Sequence, residues 1–198
     1  PFIGSLDLWY FYYIIMGLGI LYIVNAVNLT DGIDGLCGSV TFVYCIVFAV
    51  ISAMLGFSGY TVLSVAAAGG CLGFLIWNWH PAKVFMGDTG SLAIGGIIAV
   101  TAVIIHKELL LPILCGIFLV ESISVILQVA YAKHGNKQGK LLRVFKRTPI
   151  HDHFRVLNTE LLPGAKYLIK KPTAPLFENM ITIRFWIVTI LLAAITII

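Results

Sequence analysis

Three short polar segments hold the residues of this chain that could do chemistry. The first is Asn25-Ala26-Val27-Asn28-Leu29-Thr30-Asp31-Gly32-Ile33-Asp34-Gly35. The second is Phe85-Met86-Gly87-Asp88-Thr89-Gly90-Ser91, and the third Thr148-Pro149-Ile150-His151-Asp152-His153. Asp31 and Asp34 stand three apart, which at a helix start puts both carboxylates on one face. Gly32 and Gly35 let backbone come close to a ligand and permit unusual dihedrals. Carboxylates beside glycines suit Mg²⁺ with phosphate, because Mg²⁺ takes one or two carboxylates plus water and substrate oxygens. The competing reading is a helix cap at Asp31 with the glycines in a turn. Asn25 and Asn28 weigh against that reading, since two more amides nearby are hard to place against lipid.

Asp88 follows Gly87 at the start of an apolar run. It is both a cap and a candidate metal ligand, at a helix start that favours anions. Phe85 offers a flat face to a base, although a lone aromatic is more often packing. His151 and His153 have no partners in zinc-like spacing. Beside Lys146, Arg147 and Arg155 they suit anionic substrate groups better than a metal. Glu121, Ser124 and Gln128 make one polar stripe on a helix, which should face protein or a wet groove. A structural hydrogen bond and a catalytic role are equally open for Glu121.

The elements that must position these groups are membrane helices. The chain is 60% hydrophobic and 11% charged, against about 25% charged in soluble domains. Runs of about 20 apolar residues cross a bilayer. Six are expected: Leu8–Asn28, Leu36–Leu55, Tyr60–Trp79, Ser91–His106, Leu109–Ala132 and Met180–Ile198. The predicted fold is an all-α, polytopic integral membrane protein, a single membrane domain over residues 1–198. A long loop, 133–179, precedes the last helix, and Pro112 is expected to kink the fifth. Within that loop, Leu161 to Ile169 reads as an interfacial segment.

Of the thirteen Lys and Arg, only Lys107 falls on one side of these spans, and the other twelve on the opposite side or at its edge. The positive-inside rule makes the richer side cytoplasmic. The same assignment brings all three polar segments to that face, although the spans were chosen by hydropathy alone. Cys37, Cys45, Cys71 and Cys115 lie in apolar runs and read as small packing residues. The chain starts at Pro1, so it is expected to be a piece of a longer protein. Nothing in the sequence points to a nucleic acid partner.

Asn25–Leu36, Phe85–Gly96, Glu121–Ala132 and Pro149–Phe154 resemble the polyprenyl-phosphate sugar-1-phosphate transferases. Within that family the chain is most similar to the bacterial phospho-N-acetylmuramoyl-pentapeptide transferase branch, which makes lipid I. The similarity runs through nearly the whole chain and marks it as a C-terminal part. The branch usually carries three consecutive histidines, where this chain has Asp152 in the middle. The family's adjacent aspartate pair followed by lysine has no match here.

The resemblance implies transfer of phospho-MurNAc-pentapeptide from UDP-MurNAc-pentapeptide to undecaprenyl phosphate, with release of UMP, in peptidoglycan biosynthesis. It implies Mg²⁺ on Asp88, with Asn28, Asp31 and Asp34 in the same cleft. Gly32, Ile33, Asp34 and Phe85 would hold the uridine. His151, Asp152 and His153 would meet the sugar-peptide or diphosphate side. Asn25, Asn78, Ser91 and Gln128 are further candidates for substrate contact. The implied setting is the bacterial plasma membrane, with the site facing the cytoplasm and a homodimer as the assembly. A sister enzyme that transfers N-acetylglucosamine-1-phosphate is one alternative. A transporter or non-catalytic membrane subunit is another, because polar residues in spans fit it too.

Overall fold

The computed structural model describes residues 10–157 and 160–197. Six helices are long and apolar enough to cross a membrane: α1 (Tyr10–Thr30), α2 (Leu36–Met54), α3 (Ser58–Asn78), α4 (Gly87–Ile104), α6 (Gly116–Lys137) and α8 (Glu178–Ile197). The all-α membrane architecture expected from hydropathy is the observed one. Short elements complete it: α5 (Leu111–Leu114), α7 (Ile150–Arg155), and strands β1 (Leu142–Arg143) and β2 (Lys166–Tyr167).

Two of the expected spans are corrected. The fourth begins at Gly87 rather than Ser91. Its polar first turn, Gly87-Asp88-Thr89-Gly90, is helical because a helix start welcomes a carboxylate. The fifth is not continuous from Leu109. A 3-10 turn over Glu108–Leu110 leads into α5, with Pro112 in its first turn. The chain then leaves helical geometry at Cys115 before α6 starts at Gly116. Proline in a first turn is compatible with a helix but cannot extend one backwards, so Pro112 accounts for the start of α5 at Leu111 and not for the break at Cys115.

Helix α2 is the central post. In its most apolar stretch 67% of residues are buried, against 17% in α1 and α3. Its Tyr44 and Phe48 stack at 4.4 Å, and the Tyr44 hydroxyl donates to the Ile98 carbonyl of α4 at 2.8 Å. Helix α4 also crosses α1 at very short range. A Cβ on Gly95 would stand 2.7 Å from Val24 Cα, so only glycine permits this approach. Small residues at such crossings let membrane helices meet backbone to backbone. Ser91 and Asp88 lie one and two turns before Gly95 on the same face. The crossing therefore fixes how near they come to the end of α1.

The segment between α6 and α8 is a folded cap. β1 pairs with β2 in parallel, Leu142 opposite Lys166 and Arg143 opposite Tyr167. The stretch from Leu161 to Ile169 thus returns onto β1, while Leu162, Leu168 and Ile169 keep exposed apolar side chains. The buried Lys146 ammonium ties the cap together, donating to the Val156 carbonyl at 2.6 Å and the Pro172 carbonyl at 2.8 Å. Burial lowers its pKa from the ordinary lysine value. Gln128 accepts the Val144 and Phe145 backbone N–H groups, each at 3.0 Å, and so anchors the cap to α6.

Candidate active site

One end of the bundle gathers the polar segments. Thr30 ends α1, and the chain turns through Asp31-Gly32-Ile33-Asp34-Gly35 into α2. Gly35 takes φ +74°, a left-handed conformation that favours glycine. Its N–H donates to the Asn78 side-chain oxygen at 3.0 Å. The Asn78 amide in turn donates to the Val84 carbonyl at 2.9 Å. Asn78 thereby ties the turn after α1 to the α3–α4 connection, the two walls of the intervening cleft.

That cleft is a cavity of about 190 Å³ lined by Asp31, Gly32, Ile33, Asp34, Asn78, Phe85, Gly87 and Asp88. Its polar anchor is Asn28, whose amide donates to Asp88 Oδ1 at 3.0 Å and to Ser91 Oγ at 2.9 Å. Ser91 lies buried just behind and bonds back to the Gly87 carbonyl. Phe85 is 75% exposed beside the cavity, a ring free to stack. Asn25 lies apart: it is exposed, and its amide bonds to the Leu21 carbonyl one turn earlier.

Burial, and after it the nearby Asp88 carboxylate, push the Asp31 carboxyl up to about 6. Among the described residues no cation or hydrogen-bond donor meets the Asp31 carboxylate. Two carboxylates lining one cleft, with oxygen atoms to spare, are a donor set of the kind a hard divalent cation takes. The Asp31–Asp88 pair therefore fits Mg²⁺.

A second group, Asp34, His80 and Glu178, brings three ligand-type atoms within 4.8 Å of one another. Its chemistry is different. Asp34 Oδ2 already accepts from the Ala82 N–H at 3.0 Å and lies 2.9 Å from His80 Nδ1. Glu178 accepts from Arg155 at 2.6 Å. Protein donors occupy Asp34 Oδ2 and Glu178 Oε1, so the group reads as a brace joining the turn after α1, the α3–α4 connection, α7 and α8. The Asp34 carbonyl also receives the Thr182 hydroxyl at 2.9 Å, a further tie from α8. His80 and Glu178 were not singled out from the sequence. They come from separate segments and share no motif spacing with Asp34.

The histidine segment forms α7, and its two histidines do different things. His151 is buried, and its Nδ1 lies 3.0 Å from Glu121 Oε2 of α6. The His151 backbone N–H points at the same oxygen at 3.4 Å. A Cβ on Gly32 would fall on the His151 ring, so the missing side chain lets the imidazole lie against the turn after α1. His153 turns the other way. Its Nδ1 accepts the Lys146 N–H at 3.0 Å, and its Nε2 donates to the Lys171 carbonyl at 2.7 Å. Burial lowers the His153 pKa, against the Lys171 carbonyl that favours its charged form. Asp152 sits 3.2 Å from Arg155 and 3.8 Å from Arg147. The polar stripe on α6 faces protein, as its pattern implies: Glu121, Ser124 and Gln128 are all buried.

The arrangement presents a carboxylate pair, an adjacent imidazole held by a buried glutamate, close backbone at Gly32 and an exposed aromatic ring. Carboxylate oxygens of this kind suit a hard divalent cation, and an exposed ring suits stacking.

Comparison with known proteins adds to this geometry. Residues 1–106 match the family described as glycosyl transferase family 4. A phospho-N-acetylmuramoyl-pentapeptide-transferase of Phocaeicola vulgatus is 49% identical over 96% of this chain and 49% of its own length. The protein of that name from Bacteroides fragilis is 47% identical over the same shares. One from Porphyromonas gingivalis is 40% identical over 100% of this chain and 51% of its own length. The chain thus spans about half the length of the curated relatives it matches.

Proposed function

This chain belongs to glycosyl transferase family 4, and on that footing we propose that its protein transfers phospho-MurNAc-pentapeptide from UDP-MurNAc-pentapeptide to undecaprenyl phosphate, giving lipid I and UMP. The observation that carries the reading is the Asn28–Asp88 contact beside Asp31, a preset oxygen site in a cleft bounded by Phe85 and Gly32. The relatives' shared name supplies the donor. The site faces the cytoplasm of a bacterial plasma membrane, since the charge bias of the loops favours that orientation. A homodimer belongs to the same proposal.

Asp88 and Asp31 would hold Mg²⁺, whose positive charge would offset the negative charge of the donor diphosphate and of the leaving UMP. Asn28 keeps the Asp88 carboxylate turned into the cleft. Phe85 and Asp34 receive the uracil end, where the Gly32 backbone can approach closely. With its Nδ1–H given to Glu121, His151 presents Nε2 towards Gly32 and the phosphate side. His153 and Gln128 hold the cap that delivers α7, and Asp152 sets the two arginines beside it. The acceptor's phosphate monoester, with a second pKa of about 6, is mostly dianionic at neutral pH and attacks phosphorus without a strong base.

The test is UMP release by the full-length protein with undecaprenyl phosphate and Mg²⁺, comparing UDP-MurNAc-pentapeptide with UDP-GlcNAc. Turnover of the muramoyl donor alone is expected. Turnover of UDP-GlcNAc instead would move the protein to the sister reaction.

A further inference from the structure

A larger cavity, about 400 Å³, lies in the cap between α6 and α8, and its walls include Arg143, Lys146, Arg147 and Glu160. Its three cations are not equivalent. Lys146 is spent on the Val156 and Pro172 carbonyls. Arg147 is 62% exposed at its side chain and, among the described residues, reaches only Asp152, at 3.8 Å. Arg143 comes from β1, and its Nε is buried without a hydrogen-bond partner among the described residues. No described carboxylate pairs with it, Glu160 included. A guanidinium cannot shed its proton to escape this position. Only Nε is enclosed while the side chain as a whole is half-buried, so the cost is that of one buried N–H left without an acceptor. An acceptor from outside the chain resolves the cost.

The remaining wall narrows the choice of acceptor. Leu162 adds exposed apolar surface to this mainly polar lining, with the largely buried Val156 and Tyr167 behind it. A bare phosphate has no use for such surface, whereas a short peptide ending in a carboxylate does. The fork of a guanidinium also matches a carboxylate in two parallel hydrogen bonds. The cavity adjoins the candidate active site through α7. Arg147 on its wall meets Asp152, and the neighbouring His151 lies against Gly32.

We propose that this cavity receives a carboxylate of the donor's peptide, with Arg143 as the anchoring cation. The inference rests on the reading of the donor as a nucleotide-linked muramoyl peptide. A lipid headgroup or the donor's own diphosphate would also satisfy a guanidinium, so the test must separate the three.

The experiment uses the full-length enzyme in nanodiscs of zwitterionic lipid, and again with anionic phosphatidylglycerol added. UMP release is measured with UDP-MurNAc-pentapeptide and with the same donor after every peptide carboxylate has been converted to an amide. The wild type should show a KM about tenfold higher for the amidated donor, the size of one hydrogen bond to a charged group. Arg143→Gln should raise the KM of the free-acid donor by about the same factor, leave kcat unchanged, and add nothing for the amidated donor. Arg143→Lys should recover part of the loss, since it keeps the charge and the packing stem.

An equal KM rise for both donors would overturn the proposal in favour of the diphosphate or of a purely structural arginine. A defect seen only with phosphatidylglycerol would overturn it in favour of a headgroup. No change in KM would empty the cavity of any role in donor binding. If the wild type releases UMP from neither muramoyl donor, the underlying reaction fails and the cavity's assignment goes with it.

Discussion

The Asn28 amide and the Asp88 carboxylate meet at 3.0 Å across the crossing of α1 and α4, joining two motifs that lie 60 residues apart in the chain. One amide hydrogen bond thus decides where the Asp88 carboxylate, the proposed metal ligand, points. Asn28→Ala should lower UMP release by ten- to a hundredfold, the loss of a hydrogen bond of about 1.5–3 kcal/mol to a charged group. The variant should also need more Mg²⁺ for half-maximal rate. A Mg²⁺ titration of wild type and variant checks this, and an unchanged midpoint would remove Asn28 from the metal site.

That contact depends on how closely the helices approach. Gly95 faces the Val24 backbone with no room for a Cβ. Gly95→Val should force α4 from α1 and lower both thermal stability and activity, with an overpacking cost of about 1–3 kcal/mol. Gly96, with open space where its Cβ would stand, is the matched control. Equal melting temperatures for Gly95→Val and Gly96→Val would show that the crossing is not tight.

Glu121 is fully buried and its Oε2 faces both the ring and the backbone of His151. Removing the histidine leaves a buried carboxylate without its partner, a change that typically costs about 3–5 kcal/mol. His151→Ala should therefore melt well below wild type, while the double variant Glu121→Gln/His151→Ala regains much of the stability and none of the activity. Thermal melts of wild type, the two single variants His151→Ala and Glu121→Gln, and the double variant, read as a double-mutant cycle, test the coupling. Additive losses would mean that the pair does not act as a unit.

The raised pKa of Asp31, about 6 against an ordinary 3.8, makes the folded protein hold a proton that the unfolded chain gives up. Above pH 6 the ionised form therefore costs stability, and the cost disappears as pH falls from 6 towards 3.8. The group is still partly solvated, so screening trims the effect to about 1–2 kcal/mol. Without metal at pH 7.5, Asp31→Asn should be more stable than wild type, and the gap should close near pH 4. Mg²⁺ should raise the melting temperature of wild type more than that of Asp31→Asn. A variant less stable than wild type at pH 7.5 in EDTA would contradict the carboxylate repulsion.

Much of this architecture is legible in the sequence because a bilayer imposes length and apolarity on each helix. Six spans could be placed, and their alternation brought the three polar segments to one end. The misplaced boundaries have local causes. The polar first turn of α4 looked like loop, and the break at Cys115 lay inside an unbroken apolar run. Partners were harder to see than participants. Glu121 stood out as a charge within a span, but its contact with His151 is tertiary. Lys146 read as one more basic loop residue, yet its ammonium is buried on two carbonyls. His80 and Glu178 meet Asp34 only because three connections converge, a geometry with no signature in spacing.

The most direct test of the central claim is Mg²⁺-dependent UMP release from UDP-MurNAc-pentapeptide by the full-length protein and by its Asp88→Asn variant, with both melting curves recorded. The account predicts release that needs both Mg²⁺ and undecaprenyl phosphate in the wild type. It predicts a loss of at least about a hundredfold in Asp88→Asn, roughly 2.7 kcal/mol of transition-state stabilisation, with the fold retained. Near-normal release by a folded Asp88→Asn protein would contradict the assignment of this cleft as the metal-bearing active site.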